Sequence, residues 1–442
     1  MPDNQNIIIE SVTDKTVTFN VDGKMLEMDK KLDAVLEFVQ TQSTKTIQSA
    51  DKIYNIGSIT NANFDSILAQ SIFDKALPAD LAQELITDEN RWVESLKSAL
   101  LKHGAAVGNT PVDIFKHYGW LIEIFLLKMG TPAGQERTLR RLSFMAEAYQ
   151  SSLRFLSYIQ VAQIMQMDVI PKNEIINGVI QMQDTQYINY DYWDLLLLST
   201  EMLETREMFM PEIKDFVTEL SDTKSTLYST SLFLEKYRSD LLKNIIPEDD
   251  QLNHLLDEYL TALVFWLRKI AFLGRYRLVS IKDINLDYRM GSAKNFIHLY
   301  GELHGMYKEA NAKSEDYQSK SIVGVFTFNQ SVLLFKGTDV KTCLEGIVNA
   351  NNYLCLSPLV IDQSVFSEKP TQTPEIMYYI GQNPDKKQYR FALYKNEMEL
   401  GSKNLTANKE LQVKEENIQQ PGLDALFEQL VHVFKPFKVA NG

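Results

Sequence analysis

The placement of proline and glycine between Pro78 and about Leu273 constrains this chain more than any other feature. Both residues occur there at only a few positions, and apolar residues recur at helical spacing between those positions. Because neither residue is well tolerated inside a helix, each position marks a boundary between two helices. The sequence therefore predicts five to seven consecutive helices in this region.

Several helix limits follow from these boundary residues. We predict helices from Pro78 to about His103, from Pro111 to Met129, from Gln135 to about Met167, from Tyr190 to Met210 and from Pro247 to Phe272, with further starts at Pro171 and Pro211. Pro111 suits the first turn of a helix, where its missing N–H costs nothing. The helix that ends at Phe272 is apolar over most of its circumference, which is typical of the centre of a bundle.

At the two ends of the chain, apolar residues recur mainly with the two-residue period of strands and not with a helical period. Residues 7 to 21 alternate in polarity as in a hairpin or small meander, a short helix is predicted from Asp29 to Val39, and a strand from Lys52 to Ile59. Strand-like alternation returns after Gly274. The tail predicts two strands, a helix from Val340 to Asn349, a strand from Tyr353 to Val360, further strands and a closing helix.

These elements predict a mainly α chain: an irregular helical bundle with a short N-terminal β element and a C-terminal α+β domain. The expected domains are residues 1–64, the bundle 65–273, a β-rich connector and polar linker 274–319, and the α+β domain 320–442. The helical part shows no solenoid repeat, so an irregular bundle is favoured over stacked helix pairs.

The charge balance argues against two classes of partner. The formal net charge is −13, and residues 321–442 contain 12 basic and 13 acidic residues, so nearly all of the excess lies in the first 320 residues. An acidic chain is repelled by duplex DNA and by anionic membrane surfaces. Nucleic acid is therefore not expected as a general ligand.

Cysteine usage and hydropathy point to the cytoplasm. Cys343 and Cys355 are the only two cysteines, too few for a four-ligand zinc site or a disulfide framework. The N-terminus does not resemble a signal peptide, and charged residues interrupt every apolar window before it reaches the ~18 residues of a spanning helix. We expect a cytoplasmic protein with no transmembrane segment and no cofactor.

One histidine group invites chemistry. Residues 296 to 307 fit strand and helix about equally, and Gly301 and Gly305 favour strand. On a strand, His298, Glu302 and His304 share a face, and such a set is able to bind a metal or to act in acid–base catalysis. On a helix the three side chains do not converge. A metal-dependent hydrolase is therefore one alternative.

A cluster of arginines stands out in an acidic chain. Arg137, Arg140 and Arg141, with Arg154 beyond them, indicate an acidic partner, a nucleic-acid backbone, or internal pairing with Glu136 or Glu147. A second basic run, whose strand portion is expected to lie on the surface, comprises Arg268, Lys269, Arg275, Arg277 and Lys282. The glycines of Gly130–Gly134 predict a helix–helix turn and not a phosphate loop, because Gln135 and Glu136 replace the required lysine and hydroxyl residue.

Four segments carry a resemblance to a known group of proteins. Lys45–Phe64 resembles a strand-forming segment of accessory and STAND-type ATPase proteins of bacterial conflict systems. Tyr118–Glu123, Arg140–Arg154 and Leu356–Asp362 are similar to blocks in helical proteins encoded beside caspase-like or trypsin-like proteases and ATPases. These segments contain no catalytic motif and cover a minority of the chain. The resemblance implies an accessory protein of an antiviral defence system.

The leading hypothesis is a non-enzymatic interaction protein: an adaptor, sensor or regulated partner of a protease or STAND ATPase in a bacterial antiviral system. The alternatives are the metal-dependent hydrolase and a latent effector. In the latter, cleavage between Lys308 and Ser319 exposes the apolar helix from Leu260 to Phe272 to a membrane.

Overall fold

The computed structural model describes residues 7–12, 16–21, 24–29, 91–167, 192–242, 245, 249–291, 293–304, 320–345, 350–366, 374–383, 388–393, 410–415 and 422–435. The chain divides into two compact units. One unit comprises Met1–Glu89 and Phe216–Trp266, and the other comprises Asn90–Asp215 and Leu267–Gly442. The domain limits expected from the sequence stay a prediction.

The predicted mainly helical character is confirmed, together with two antiparallel sheets in the C-terminal region. The described helices are α1 (Arg91–Lys102), α2 (Pro111–Phe115), α3 (Trp120–Met129), α4 (Pro132–Gln135), α5 (Leu139–Met165), α6 (Tyr192–Leu203), α7 (Glu212–Ser221), α8 (Thr226–Leu242), α9 (Asp249–Lys269), α10 (Val340–Leu344) and α11 (Leu423–Phe434). The helices and strands predicted at Asp29, Lys52 and Pro171 lie outside the described residues.

Three helices predicted from the sequence are wrong in their extent. The helix expected from Pro111 to Met129 is divided into α2 and α3, because Gly119 has a φ of 79° and ends the helical conformation between them. The helix expected from Gln135 to Met167 is divided, because Glu136 and Thr138 adopt extended backbone conformations between α4 and α5. The helix expected to reach Met210 ends at Leu203. In the segment that follows, the Phe209 N–H donates to Gln163 Oε1 at 2.9 Å, so its backbone is satisfied by a side chain of α5 instead of a helical carbonyl.

The unit that contains Phe216–Trp266 is held by aromatic packing between its helices. The Phe216 and Trp266 rings lie edge to face with centroids 5.2 Å apart. Tyr259 of α9 donates its hydroxyl to the Leu234 carbonyl oxygen of α8 at 3.1 Å. Edge-to-face geometry is favoured by the ring quadrupoles, and the hydroxyl bond satisfies the polar end of a buried tyrosine. In the same unit, β1 (Ile7–Val12), β2 (Thr16–Val21) and β3 (Lys24–Asp29) pair as an antiparallel meander.

The five-stranded sheet of the other unit has the order β6-β5-β4-β7-β8. Its strands are β4 (Tyr276–Asp287), β5 (Asn295–Glu302), β6 (Lys320–Gly324), β7 (Val332–Lys336) and β8 (Tyr353–Cys355). One face packs on α10 through Val279, Ile281 and Leu344. The return to strand after Gly274 is confirmed, as is the strand assignment of residues 295 to 302.

The four-stranded sheet has the order β12-β11-β10-β9. Its strands are β9 (Val360–Asp362), β10 (Ile376–Asn383), β11 (Gln388–Leu393) and β12 (Glu410–Lys414). The single strand predicted from Tyr353 to Val360 is therefore wrong, because β8 and β9 belong to different sheets. Pro358 lies between them, and a proline without an N–H cannot continue a sheet ladder.

Helix α5 is the centre of this unit. It packs against α3 and α6, and most of its residues are buried, including serine, glutamine, glutamate and arginine side chains. The sequence favoured the helix ending near Phe272 as the central one of a bundle, and most of the apolar side chains of α9 from Leu255 to Leu267 are buried. The burial of α5 was not expected, because serine, glutamine and arginine side chains lie among its buried apolar residues.

The turn that leads into α5 supplies a test of close packing. A Cβ added to Gly134 would lie 2.0 Å from the Lys128 carbonyl oxygen, whereas one added to Gly130 meets nothing closer than 3.4 Å. We expect Gly134→Ala to lower the free energy of unfolding by about 1–3 kcal/mol, in the range of overpacked sites. Urea denaturation of both variants checks this, and equal stabilities of Gly134→Ala and Gly130→Ala would contradict it.

Candidate functional site

A compact cluster of ionisable and hydroxyl groups joins the two C-terminal sheets. Lys282 Nζ of β4 lies 2.5 Å from Asp362 Oδ2 of β9. Ser280 Oγ donates to the same carboxylate oxygen at 2.6 Å, and Lys282 Nζ donates to Ser364 Oγ at 2.6 Å. The other carboxylate oxygen accepts from the backbone N–H groups of Ser364 and Glu375, both at 3.0 Å. Asp362 is thus held from both sheets and from the chain after β9.

Lys282 enters this cluster beside Ser280, two residues earlier on β4, whose hydroxyl donates to the same Asp362 oxygen. Alternate residues of a strand lie on one face, so both side chains project toward β9. The register between β4 and β5 shifts between Ile281 and Asp283. The expectation that the strand portion of the second basic run lies on the surface is wrong for Lys282, whose side chain is buried against Asp362.

The Lys282 cluster contains groups of the kind used in catalysis, but it is closed to solvent. The relative exposure of the Lys282 and Asp362 side chains is 0% and 1%. Burial lowers the pKa of Lys282, while the adjacent Asp362 carboxylate acts in the opposite direction. A substrate cannot reach a nucleophile or base that is sealed in this way. The cluster links the two sheets, and its ionisable groups contact one another and not the solvent.

The three residues of the metal-site alternative are divided by the structure. His298 and Glu302 lie on the same face of β5, but four residues of a strand span about 13 Å, and Tyr300 lies between them. His304 Nε2 is 3.5 Å from Glu302 Oε2, beyond the end of the strand. The structure brings Glu302 and His304 together and places His298 apart from both.

His298 is a buried residue of the sheet that packs on α10. Its register partners are Ile284 on β4 and Ile322 on β6. Burial lowers the pKa of its imidazole, and nearby backbone groups of Phe296 and Ile322 oppose this in part. Among the described residues, no group of three or more histidine, cysteine, aspartate and glutamate side chains is arranged to hold a metal ion.

The four arginines proposed to contact a partner also lie in two different environments. Arg137 and Arg140 are exposed before and at the start of α5, whereas Arg141 and Arg154 are buried. Arg141 donates to the Gln135 carbonyl oxygen at 3.0 Å. The Arg154 guanidinium lies 4.2 Å from the centroid of the Tyr378 ring and 5.0 Å from that of Tyr192. Arg154 therefore joins α5 to β10 and α6 inside the unit.

A buried histidine and arginine form a second inward-facing pair. Arg277 Nη2 is 3.0 Å from His117 Nδ1, and Arg277 Nη1 donates to the Tyr276 carbonyl oxygen at 2.8 Å. Because a guanidinium has no acceptor, the ring nitrogen that faces it must be unprotonated. Burial first, and then the Arg277 charge, lower the pKa of His117 to about 4.

Exposed apolar side chains gather at one end of the five-stranded sheet. The loop between β4 and β5, with the end of β4, forms a hairpin tip that exposes Leu286, Tyr288 and Met290, the last of these at 99% relative exposure. Arg289 and Lys294 are exposed beside them. Scattered exposed apolar residues are common, but a contiguous group marks an interaction surface.

A second exposed group lies on β6 and on the residues after it, and we call residues Lys320–Phe328 the edge segment. Its exposed apolar residues are Val323, Val325, Phe326 and Phe328. The Phe326 ring lies 5.2 Å from that of Phe296, which holds it beside the sheet. The edge segment and the hairpin tip are thus fixed by the same sheet, although one follows an edge strand and the other projects from a turn.

Helix α9 contains most of the apolar stretch that the latent-effector alternative requires. Leu263, Val264 and Leu267 are fully buried in the structure. None of the helices in the described ranges has the length and apolarity to cross a bilayer. The cleavable stretch proposed from Lys308 to Ser319 lies outside the described residues.

Comparisons with known proteins return no relative. No family model, no curated protein and no solved structure matches the chain. The function of this chain must therefore be argued from its own residues.

We predict that Lys282 and Asp362 are strongly coupled in their contributions to the free energy of unfolding. We expect Lys282→Met to lower the free energy of unfolding by about 3–5 kcal/mol, because it leaves the Asp362 carboxylate buried without its cation. The double variant Lys282→Met/Asp362→Asn should lose less than the sum of the two single variants. A double-mutant cycle by urea denaturation measures this, and additive losses would contradict it.

The lowered pKa of His117 predicts how the free energy of unfolding depends on pH. Its pKa is lowered to about 4 in the folded chain from 6.5, so the unfolded chain takes up the proton first as the pH falls. The stability that His117 contributes is present above pH 6.5 and is lost between pH 6.5 and about 4, by roughly 3 kcal/mol. Comparing urea midpoints of the wild type and His117→Gln at pH 7 and pH 5 isolates this loss, and parallel pH dependence in both would contradict it.

Proposed function

We propose that the chain is a non-enzymatic protein–protein interaction component of a bacterial antiviral defence system, acting in the cytoplasm as an adaptor, sensor or regulated partner of a protease or ATPase. The observation that carries the interaction role is the hairpin tip, where Leu286, Tyr288 and Met290 are exposed together. The assignment to a defence system rests on the resemblance of four sequence segments and on no structural observation.

The contrast between the tip and the ionisable clusters supports a docking role. Lys282 and Asp362 are sealed between sheets, and His117 is buried against Arg277. These groups act on one another, whereas the hairpin tip presents apolar atoms to solvent. An exposed apolar group with a polar rim is typical of a protein interaction site.

The charges at the tip indicate the chemistry of its partner. Arg289 and Lys294 flank the apolar side chains, and Asp287 is the single acidic residue from 287 to 294. The tip is therefore locally basic in a chain of net charge −13. Lys294 Nζ lies 5.9 Å from the centroid of the Tyr288 ring, so cation and apolar surface are presented together. We infer a protein partner with an apolar pocket bordered by carboxylates.

The proposed architecture follows the sequence prediction. We propose that the helical region is an irregular bundle, preceded by the N-terminal β element and followed by an α+β domain.

The five-stranded sheet supports the hairpin tip, because β4 and β5 pair from Val279–Glu302 to Asp287–Asn295. A short tip on a long, paired hairpin loses little conformational entropy on binding, which favours docking.

The test uses proteins encoded beside this chain in its own genome, co-expressed with the tagged chain. We expect a protease or ATPase to co-purify with the wild type and the yield to fall at least about tenfold for Tyr288→Asp/Met290→Asp, as for a central interface contact. The same substitutions should remove protection in a phage plaque assay.

The matched control is Val112→Asp, which places a carboxylate on another exposed apolar residue of the same unit. It should retain both binding and protection. No protease or ATPase bound by the wild type, or equal binding by the tip variant and the wild type, would contradict the proposal. Loss of protection in Glu302→Gln or His304→Ala with binding intact would favour the hydrolase alternative.

A further inference from the structure

Strand β6 is an edge of the five-stranded sheet, and no strand among the described residues pairs with its outer side. Its register with β5 is continuous from Phe296–Gly324 to Tyr300–Lys320, with no bulge. It contains no proline, and Lys320 is its only charged residue. Proteins usually protect edge strands with bulges, prolines or several charges, because the outer N–H and C=O groups otherwise pair with another chain.

Strand β12, an edge strand of the four-stranded sheet, differs from β6 in its charged residues. Strand β12 carries Glu410 and Lys414 at its two ends, and Glu410 pairs with Arg390 at 3.0 Å. The residues that follow β6 are instead apolar and exposed, and they include Val325, Phe326 and Phe328. The edge segment is therefore better suited than β12 to pairing with a strand of another chain, because the charged side chains of β12 favour contact with water.

We propose that β6 pairs in antiparallel orientation with β6 of a second copy of the chain about a two-fold axis, which joins the two five-stranded sheets into one. An antiparallel pair about such an axis places the same backbone edge opposite itself, so the edge strand is its own complement. The inference goes beyond the adaptor function and does not depend on it.

Charge favours a second copy at this position. Two chains of net charge −13 repel each other over most surfaces, but the edge segment has no acidic residue. In a pairing centred on Ile322, Val323 lies opposite the partner's Ser321 and Lys320 lies opposite the partner's Gly324. The two lysines are then about 13 Å apart along the strands, so they do not face each other.

The apolar side chains complete the interface. Val323 is on the face of β6 opposite the half-buried Ile322, and Phe326 lies beside Phe296 at the end of β6. Pairing of the edges brings both apolar residues of each copy toward the other copy. Backbone hydrogen bonds then fix the register, and burial of the exposed apolar atoms supplies the free energy.

Sedimentation velocity of the purified chain over a range of concentrations tests the proposal. We expect a monomer–dimer equilibrium, and for Val323→Lys/Phe326→Lys a dissociation constant at least about tenfold higher, because a cation is buried without a partner. Leu101→Lys/Val112→Lys is the matched control, since it adds the same two charges at exposed apolar residues outside the edge segment and the hairpin tip, and it should leave the equilibrium unchanged.

Amide hydrogen exchange of the unmodified chain gives a second measurement that does not depend on how the variants fold. The amides of residues 320–324 should exchange more slowly at concentrations that favour the dimer than at those that favour the monomer. A wild type that is monomeric at every concentration, a dimer that persists in a folded Val323→Lys/Phe326→Lys variant, or unchanged exchange at 320–324 would each overturn the proposal.

Discussion

The fold of the larger unit depends on a helix that is buried although much of its surface is polar. Along α5, Ser157 Oγ donates to the Tyr192 carbonyl oxygen at 2.8 Å and Gln160 Nε2 donates to Thr200 Oγ1 at 3.1 Å, which fixes α6. Gln166 Nε2 donates to the Cys355 carbonyl oxygen of β8 at 2.7 Å, and the Tyr158 hydroxyl donates to the Tyr379 carbonyl oxygen of β10 at 2.8 Å. A buried donor without an acceptor is costly, so these bonds specify where α6 and both sheets lie.

The same principle applies to four buried ionisable groups of this unit. Lys282, Asp362, His117 and Arg154 each contact another side chain inside the unit, and each contact joins segments distant in sequence. Removing water strengthens such interactions and also blocks access to them. Exposed apolar side chains lie instead at the hairpin tip and along the edge segment.

The sequence predicts the elements better than it predicts the arrangement of the elements. Gly130, Pro132 and Gly134 located the turn before α5, and Gly274 located the start of the sheets, because backbone constraints are local. The burial of α5 was not predicted, since Ser157, Gln160 and Arg154 are expected on a helix surface unless their partners are known. The Lys282 site was missed for a related reason: its partner Asp362 lies 80 residues away in sequence and on the other sheet, so no local pattern predicts the contact. The exposure of Met290 and Phe326 likewise depends on what the fold leaves uncovered.

The central claim is that α5 holds the larger unit together through its polar contacts, so it should be among the last segments to open. Native-state hydrogen exchange measures the free energy of opening for each amide along α5. The account predicts values for residues 150–160 equal to the free energy of global unfolding obtained from urea denaturation. Exchange of these amides through a much smaller opening, while those of β4 and β10 remain protected, would contradict it.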